Sequence, residues 1–251
     1  MKNKRNGLVL LVAFLLVVAP MSLFVSHIDL LSEVSDFTGL SYTVVTDSAG
    51  PAGFLFSLAL LVFITWRVIG SNTEFLNKML QLAIILVIGF AAKTGLKHLT
   101  ESPRPYTELL AHQLLIPKPE HFYKLDSVQK ADVIDKMSQQ VTEWRTRHWQ
   151  GEKNYSFPSG HTIFAAICLA FFGGIFIDNK RYTMAALLGC WAIAVAYSRL
   201  WLGMHRPIDL VGSILFIAAV YMVVPRFDGA INKFLARRVN ERITVRNDSC
   251  H

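Results

Sequence analysis

The sequence predicts an all-α protein that crosses a membrane six times. Three observations lead to this prediction: 53% of the residues are hydrophobic, the mean hydropathy is +0.38, and the apolar residues are concentrated in runs. Each run, with its flanks, approaches the roughly 20 residues that an α-helix needs to cross a bilayer. Residues 1–251 are therefore predicted to form one membrane domain. The runs are Gly7–Val25, Phe54–Ile69, Leu76–Ala92, Thr162–Ile177, Tyr182–Leu202 and Leu210–Val224.

The first run has two interpretations. A basic start (Lys2, Lys4 and Arg5) before an apolar stretch is also the pattern of a cleaved signal peptide. The stretch is long for a signal peptide, and no clear small-x-small cleavage site ends it. We therefore expect it to remain in the membrane as the first span.

The basic residues indicate how the chain is oriented. Besides those before the first run, they flank the second connection (Arg67 and Lys78), lie in the fourth (Lys180 and Arg181) and follow the sixth run. The first connection, His27–Gly53, is predicted to be a loop and holds no Lys or Arg. With six spans, all basic segments fall on one side, which the positive-inside rule makes cytoplasmic. Both termini are predicted to lie on that side.

The net charge of +7 is explained by this arrangement, so no nucleic-acid partner is expected. A basic tail, residues 226–251, suits an anionic membrane surface. The three cysteines, Cys168, Cys190 and Cys250, form no CxxC pair, and none lies in an outer segment. We therefore expect neither a structural disulfide nor a zinc or redox site.

One long polar insertion, residues 98–158, separates the third and fourth runs and falls on the outer side. Apolar and aromatic residues recur in it at steps of three and four, which predicts a stripe along one face of a helix within Ser127–Trp149. The stripe fits either a small helical cap packed on its own surface or an interfacial helix whose aromatic side touches lipid. Its members are Ile134, Met137, Val141, Trp144 and His148.

Polar residues of unusual type form three groups at the outer ends of spans three to six. The ends of neighbouring helices converge in a compact bundle, so we expect the groups to share one pocket. The first group, where span three ends, is Lys97, Arg104 and Pro105. The second, where span four begins, is Pro158, Ser159, Gly160 and His161. The third, around the turn between spans five and six, is Ser198, Arg199, His205 and Asp209.

These residue types suit phosphate. Lysine and arginine supply positive charge, and arginine grips two oxygens with paired hydrogen bonds. Ser159 is a candidate N-cap, and the free N–H groups of a helix start form an anion site. His205 and Asp209 are four residues apart, so the carboxylate can hold the imidazole and fix its tautomer. Pro207 is expected in the first helical turn, which would leave His205 just outside the helix and Asp209 inside it.

Each group also has a structural interpretation. Lys97 and Arg104 can be snorkelling anchors at the membrane boundary. The Pro-Ser-Gly run can be only a helix cap, and His205 with Asp209 can be a structural hydrogen-bonded pair. A metal site built from the two histidines and the aspartate is not expected, because three nearby cations would repel the metal. A transporter would hold its charges at mid-membrane depth, whereas here only Lys93 lies deeper.

Together the groups resemble the three motifs of the type 2 phosphatidic acid phosphatase superfamily: Lys-x6-Arg-Pro, Pro-Ser-Gly-His and Ser-Arg-x5-His-x3-Asp. All motif letters are present in order, at Lys97 to Pro105, Pro158 to His161 and Ser198 to Asp209. The resemblance implies a lipid phosphatase that works by a two-step phosphoryl transfer with no metal and no cofactor.

The resemblance also implies a role for each residue. His205 would attack phosphorus and form a phosphohistidine, and Asp209 would orient it. His161 would protonate the leaving lipid alkoxide and then activate water. The residues that would hold the phosphoryl oxygens are Lys97, Arg104, Ser159, Gly160 and Arg199.

A pocket at helix ends lies at headgroup height, so the expected partners are membrane phospholipids and a lipid phosphate substrate, with no obligate protein partner. The resemblance implies phosphatidylglycerophosphate, phosphatidate, lysophosphatidate and undecaprenyl diphosphate as substrates. The resemblance also implies the inner membrane, and the orientation given by the basic residues makes the site face the periplasm. A dedicated undecaprenyl-diphosphatase and a lipid phosphotransferase remain open. A soluble vanadium haloperoxidase shares the motifs, but six spans argue against it.

Overall fold

The computed structural model describes residues 2–25 and 28–227, and every regular element within these ranges is helical. The predicted all-α class is confirmed for this part of the chain. Residues 228–251, most of the predicted basic tail, lie outside the described residues. The helices are α1 (Lys2–Val25), α2 (Asp36–Ala49), α3 (Phe54–Ile69), α4 (Asn72–Thr100), α5 (Pro105–His112), α6 (Ser127–Met137), α7 (Glu143–Gly151), α8 (Gly160–Cys168), α9 (Gly174–Asp178), α10 (Tyr182–Trp201) and α11 (Pro207–Val223).

One apolar segment forms the centre of the bundle. It runs without interruption over Gly160–Asp178, because a π-helical turn, Leu169–Gly173, joins α8 to α9. We call it the central span. It is almost wholly buried, with α1, α4, α10 and α11 packed around it. A Cβ on Gly7 of α1 would lie only 2.4 Å from the carbonyl oxygen of Ala170. A side chain at Gly7 would therefore force α1 away from the central span.

Every predicted apolar run lies within the described helices, except that α10 and α11 each end one residue before their run does. In the described part of the chain, four segments are long and apolar enough to cross a membrane, namely α1, α4, the central span and α10. α2 and α3 meet at a bend of 67° and count as a fifth if they form one span. α11 is apolar but has only 17 residues. The number six therefore remains a prediction.

The expected outer loop His27–Gly53 contains a helix instead, and on this point the prediction is wrong. α2 begins after the N-cap Ser35, whose hydroxyl accepts a hydrogen bond from Thr38 N at 3.3 Å. The search for apolar runs missed it because α2 mixes polar and apolar residues. Its C-terminal end lies close to the second motif, because a Cβ on Gly50 would be 2.6 Å from Nε2 of His161.

The insertion between α4 and α8 folds as a helical cap. α5, α6, α7 and a 3₁₀ turn, Pro119–Lys124, enclose a second cluster of buried side chains that includes Tyr106, Phe122 and Trp149. Trp149 Nε1 donates a hydrogen bond to the carbonyl of Leu202 at 2.7 Å, which ties the cap to the end of α10. Of the two interpretations of the insertion, the structure favours the packed cap.

The single helix predicted within Ser127–Trp149 is wrong. α6 ends at Met137, and α7 begins after the N-cap Thr142, whose hydroxyl accepts from Trp144 N at 3.4 Å. Met137 and Val141 both belong to the buried cluster of the cap. The apolar residues keep their spacing across the break between α6 and α7 because residues on both sides of it pack into the same buried cluster.

Candidate active site

The three groups of polar residues converge at one end of the bundle. Arg104, at the start of α5, lies with its Nη1 3.4 Å from Nε2 of His205, which follows α10. His161 at the start of α8 and Arg199 near the end of α10 approach the same carboxylate, that of Glu152. The side chains of all four motif residues are nearly or completely buried. The pocket predicted from the sequence is therefore present in the fold.

His205 is placed by the turn between α10 and α11. Gly203 has φ 65°, a left-handed conformation that glycine adopts at little cost. Pro207 begins α11, as predicted, since its missing N–H needs no partner there. Oδ2 of Asp209 accepts from Arg206 N at 2.9 Å and lies 3.3 Å from Nδ1 of His205. One carboxylate thus caps α11 and holds the imidazole.

The surroundings of His205 favour the neutral ring. Burial lowers its pKa to about 3, because the hydrogen bond that its ring donates to Asp209, which raises the pKa, does not offset burial together with the charges of Arg104 and Arg199. The carboxylate acceptor assigns the ring proton to Nδ1. Nε2 then carries a lone pair on the side of Arg104, which is the form that a nucleophile requires.

The start of α8 has the form predicted for the second motif. The hydroxyl of Ser159 accepts from Thr162 N at 3.3 Å, so Ser159 is the N-cap. Its own N–H donates to the hydroxyl of Ser213 on α11 at 2.9 Å. Gly160 follows with Lys93 beside it, since a Cβ there would lie 3.3 Å from Nζ of Lys93. The N–H groups of Gly160 and His161, ahead of the capped N–H of Thr162, have no carbonyl partner in the first helical turn and can bind an anion.

Lys97 and Arg104 are held by the segment that precedes α8. Arg104 donates from Nε to the carbonyl of Asn154 and from Nη2 to its side-chain oxygen, both at 2.7 Å. Lys97 Nζ donates to the carbonyl of Tyr155 and lies 3.5 Å from Oδ1 of Asn154. Asn154 therefore connects two motif cations. The sequence analysis did not identify it, because an asparagine in a loop belongs to no spacing pattern.

Glu152 lies between two motif arginines. Its Oε1 accepts from Arg199 Nη2 at 2.7 Å, and its Oε2 accepts from Arg104 Nη2 at 3.0 Å. Oε1 is also 3.8 Å from Nδ1 of His161. Burial would raise the pKa of this carboxyl, but the two guanidinium groups outweigh burial and hold its pKa well below the usual range. An anion thus occupies the place where the sequence predicts phosphate.

The sequence analysis missed Glu152 as well. The one signal available was that Glu152 is the only acidic residue in the segment 148–157, directly before the second motif. From the sequence alone, a single acidic residue beside a predicted anion site is interpreted as a surface residue. Only the fold shows that its side chain points into the site.

Arg199 keeps one donor unused. Its Nη1 donates to the hydroxyl of Thr46 at 2.7 Å and its Nη2 to Glu152, whereas its Nε is buried with no hydrogen-bond partner in the described part of the chain. Nε and Nη2 form one edge of the guanidinium, which can bind two oxygens side by side. Glu152 binds the Nη2 donor of this edge and leaves the Nε donor unbound in the described part of the chain. A phosphoryl group, with three oxygens, can fill both positions and still reach Arg104.

A cavity of about 500 Å³ lies beside the site and is lined by the start of α3 and the C-terminal part of α4. Its polar lining includes Lys93, Lys97, Glu152 and His161, and its apolar lining includes Ala49, Pro51, Phe54 and Phe90. The cavity therefore joins an anion-binding end to an apolar wall. Within residues 2–25 and 28–227, no group of three or more His, Cys, Asp or Glu side chains is arranged to hold a metal ion.

Comparison with known proteins places these motifs in a family. The PAP2 superfamily matches residues 78–232, a range that contains all three motifs. The chain belongs to the PAP2 superfamily. This confirms the resemblance that the motifs indicated.

Three relatives found by comparison carry the same name. Phosphatidylglycerophosphatase B of Haemophilus influenzae is 36% identical over 157 residues, which are 59% of this chain and 65% of that protein. Phosphatidylglycerophosphatase B of Escherichia coli strain K12 is 34% identical over 145 residues, 57% of each chain. The protein of that name from Bacillus subtilis is 30% identical over 89 residues, 33% of this chain and 44% of that protein.

These relatives agree with a resemblance that extends beyond the motif letters. Ser102-Pro-Arg-Pro, His148-Trp149-Gln150 and Gly203-Met204-His205 also resemble bacterial phosphatidylglycerophosphatase B. The chain nevertheless matches only about three fifths of the length of the first two relatives. The superfamily match begins at Lys78, so α1, α2 and α3 precede it.

Proposed function

We propose that this protein is a membrane lipid phosphatase that uses His205 as its nucleophile and requires no metal ion. The observation that carries the proposal is the carboxylate of Glu152, held by Arg104 and Arg199 beside the neutral ring of His205. Two guanidinium groups that grip an anion suit a phosphoryl group, and the attacking nitrogen lies at the edge of the same site. Membership of the PAP2 superfamily and the name of its relatives support this reaction class.

In the first step, Nε2 of His205 attacks phosphorus while the bond between phosphorus and the lipid oxygen breaks. Asp209 accepts a hydrogen bond from Nδ1 and stabilises the positive charge that develops on the ring. His161, which must carry a proton once the substrate is bound, donates that proton to the departing oxygen. Arg104, Arg199 and Lys97 offset the negative charge on the other phosphoryl oxygens, with the N–H groups that follow Ser159.

In the second step, water attacks the phosphohistidine. His161, now neutral, takes a proton from that water, and the bond between phosphorus and Nε2 of His205 breaks. Inorganic phosphate forms, and both histidines return to their starting states. Glu152 must leave the two guanidinium groups before each cycle, because its carboxylate and a phosphoryl group need the same donors.

The proposed substrates are lipids with a terminal phosphate: phosphatidylglycerophosphate, phosphatidate, lysophosphatidate and undecaprenyl diphosphate. Support comes from the cavity, whose charged end suits the headgroup and whose apolar wall, with Phe54 and Phe90, suits an acyl or isoprenyl chain. We further propose that the protein lies in the inner membrane with the site on the periplasmic side. A preference for undecaprenyl diphosphate alone, or transfer of phosphate to an acceptor other than water, are the alternative outcomes of the test below.

The test is phosphate release by the purified protein from this panel of lipids in the presence of excess chelator. The wild type should be active, and His205→Ala should lose turnover, because no neighbouring nitrogen can replace Nε2. An acid-labile phosphoenzyme should be trapped on the wild type and be absent from the variant. The matched control is His98→Ala, which changes an exposed histidine next to Lys97 and should leave turnover intact.

Three results would contradict the proposal. Substantial turnover by His205→Ala would remove the nucleophile assignment. Loss of activity with chelator, restored by a divalent metal, would remove the metal-free mechanism. No phosphate release from any lipid by wild type that is folded would remove the lipid phosphatase itself.

A further inference from the structure

A buried threonine outside the three motifs contacts the active site. Thr46 lies on the last turn of α2, before the range that matches the superfamily. Its hydroxyl accepts a hydrogen bond from Arg199 Nη1 at 2.7 Å, and neither residue has exposed surface. We propose that Thr46 is a positioning residue, which turns the guanidinium of Arg199 so that its Nε and Nη2 face the phosphoryl group. The inference rests on the proposed function, since it deepens the role of that site.

The donors of Arg199 explain why one acceptor matters. A buried N–H without a partner is costly, so a hydrogen bond to Nη1 favours the orientation of the buried guanidinium in which that donor reaches an oxygen, even though Nε has no partner in the described part of the chain. Thr46 satisfies Nη1, on the side away from the edge formed by Nε and Nη2. Without this hydroxyl, the guanidinium can satisfy Nη1 only by turning towards Glu152 or the incoming anion. Such a turn would misalign the edge that binds two phosphoryl oxygens.

Thr46 has a firm support because the N-terminal half of α2 is fixed to α7. The ring of Trp144 lies against Gly39 so closely that a Cβ there would be 2.2 Å from its Cγ. Trp144 Nε1 donates to Asp36 at 3.1 Å, and Nε2 of His148 lies 3.3 Å from the hydroxyl of Thr43. These contacts hold α2 against the cap.

The other end of α2 reaches a second motif residue. Gly50, one turn beyond Thr46, has its backbone against the ring of His161, and a Cβ would lie 2.6 Å from Nε2. α2 also packs on α10, the helix that carries Arg199, and Tyr42 stacks on Trp201 with ring centroids 4.4 Å apart. The same short helix therefore contacts both an anion-binding arginine and the proposed general acid. Its position suits a support for the site better than a membrane anchor alone.

The experiment compares Thr46→Val, which keeps the shape and removes the acceptor, with Thr46→Ser, which keeps the acceptor. The matched control is Thr65→Val on α3, because Thr65 is equally buried and its hydroxyl has no partner in the described part of the chain. For each variant, three quantities are measured in detergent: kcat and KM for phosphatidylglycerophosphate, the dissociation constant of inorganic orthovanadate from the vanadate dependence of the Tm, and the Tm without vanadate.

Thr46→Val should weaken vanadate binding and lower kcat/KM, each on the order of tenfold, as expected for a lost hydrogen bond to a charged group. Thr46→Ser should restore both to within about twofold of the wild type, and Thr65→Val should change neither. In an Arg199→Lys background, Thr46→Val should have little further effect on either quantity, because the guanidinium that it positions is gone.

The inference is overturned if Thr46→Val binds vanadate like the wild type, or if its effect is equally large in the Arg199→Lys background. It is also overturned if Thr46→Ser is as impaired as Thr46→Val, since the serine hydroxyl should still accept the hydrogen bond from Arg199. If Thr46→Val does not purify as a folded protein, Thr46→Cys, with a weak acceptor of similar size, replaces it in every comparison. Vanadate binding is measured without turnover. A wild type that binds vanadate but releases no lipid phosphate would therefore contradict the proposed function and not the positioning role of Thr46.

Discussion

The carboxylate of Glu152 gives the two motif arginines a shared negative partner in the resting site. Arg104 and Arg199 each already hold a negative partner, and Asn154 and Tyr155 supply neutral oxygens to Arg104 and Lys97. A phosphoryl group therefore replaces an existing anion instead of entering an unpaired cationic site. The affinity for phosphate therefore depends on how much more strongly the arginines bind a phosphoryl group than the carboxylate of Glu152. The carboxylate is the weaker partner because it has fewer oxygens and less charge.

Glu152→Gln should bind orthovanadate more tightly than the wild type. The amide keeps the size of the side chain but removes the negative charge that competes for the two guanidinium groups. A gain on the order of tenfold corresponds to about 1.4 kcal/mol. Inhibition constants for vanadate measure it, with Glu108→Gln as a control, because Glu108 forms its ion pair with Arg206 and not with Arg104 or Arg199. An unchanged or weaker inhibition would show that Glu152 does not compete with the anion.

His205 should make the protein less stable in acid. Its pKa is about 3 in the fold, against an ordinary value of 6.5, so between these values the unfolded chain binds a proton that the folded chain excludes. The free energy of unfolding therefore falls as the pH drops from about 6.5 towards 3. Between pH 7 and pH 5, His205→Asn should lose about 2 kcal/mol less than the wild type. Tm values of both proteins at each pH test this, and identical acid shifts would contradict it.

The residues fall into two sets by how they could be found from the sequence. The motif residues were identified because their type and spacing encode chemistry, as in His205 and Asp209 at four residues apart. Glu152, Asn154 and Thr46 were not identified. Each contributes one or two oxygens to cations that come from distant parts of the chain, and no local pattern records such a pairing.

Among the elements, α7 links the cap to the membrane helices. Arg145 is buried on this helix, donates from Nη1 to the carbonyl of Leu30 at 2.7 Å, and lies over the ring of Trp201 with its Cζ 4.6 Å from the centroid. One side chain thus joins α7, the segment before α2 and the end of α10. Glu152 follows directly after α7, so this contact also fixes the segment that enters the site.

Arg145→Met should lower the Tm and reduce turnover together. Methionine keeps much of the length but leaves the carbonyl of Leu30 without its donor, a loss of about 1.5–3 kcal/mol for a bond from a charged group. Arg147→Met, on the exposed side of the same helix, serves as the control and should leave both quantities near wild type. Thermal unfolding and phosphate release of the two variants decide the matter. Equal Tm values would mean that α7 is held by other contacts.

At the scale of the elements, the sequence predicted helices wherever apolar residues formed long runs. It failed for α2, where the helix is short and partly polar, and for the break between α6 and α7. In both places, burial against another part of the chain decides the structure. Gly39 of α2 packs on Trp144 of α7, and neither residue indicates the other in the sequence.

The whole molecule has two chemically different ends. The end opposite the active site brings α1 together with the end of α9 and the end of α11. There Lys4 Nζ donates to the carbonyl of Val224 at 3.0 Å, and Asn6 Nδ2 donates to Oδ1 of Asp178 at 2.6 Å. This is the end that the positive-inside rule assigns to the cytoplasm. The cap and the active site lie at the other end, for which we propose the periplasm.

Cysteine labelling should reveal this orientation. Ser138 in the cap and Asn179 between α9 and α10 are both exposed. In intact cells, a membrane-impermeant thiol reagent should modify Ser138→Cys, whereas Asn179→Cys should react only after lysis. Cys168, Cys190 and Cys250 are first replaced by alanine or serine, with activity rechecked. The reverse labelling pattern would place the site on the cytoplasmic side and remove the periplasmic lipids from the proposed substrates.

The central span also bears on how the protein is assembled. Because the chain is made from its N-terminus, Gly160–Asp178 enters the bilayer before α10 and α11 exist, and its future partners are at first replaced by lipid. When those helices arrive they displace acyl chains instead of water, so the hydrophobic effect contributes little, and close packing has to drive association. Gly7 is one point where that packing has no room for an added atom, because a Cβ there would lie 2.4 Å from the carbonyl oxygen of Ala170 and 2.8 Å from the ring of Tyr221 on α11. A larger residue there would let the chain insert but stall its assembly, which leaves an inserted, unassembled polypeptide for the membrane proteases.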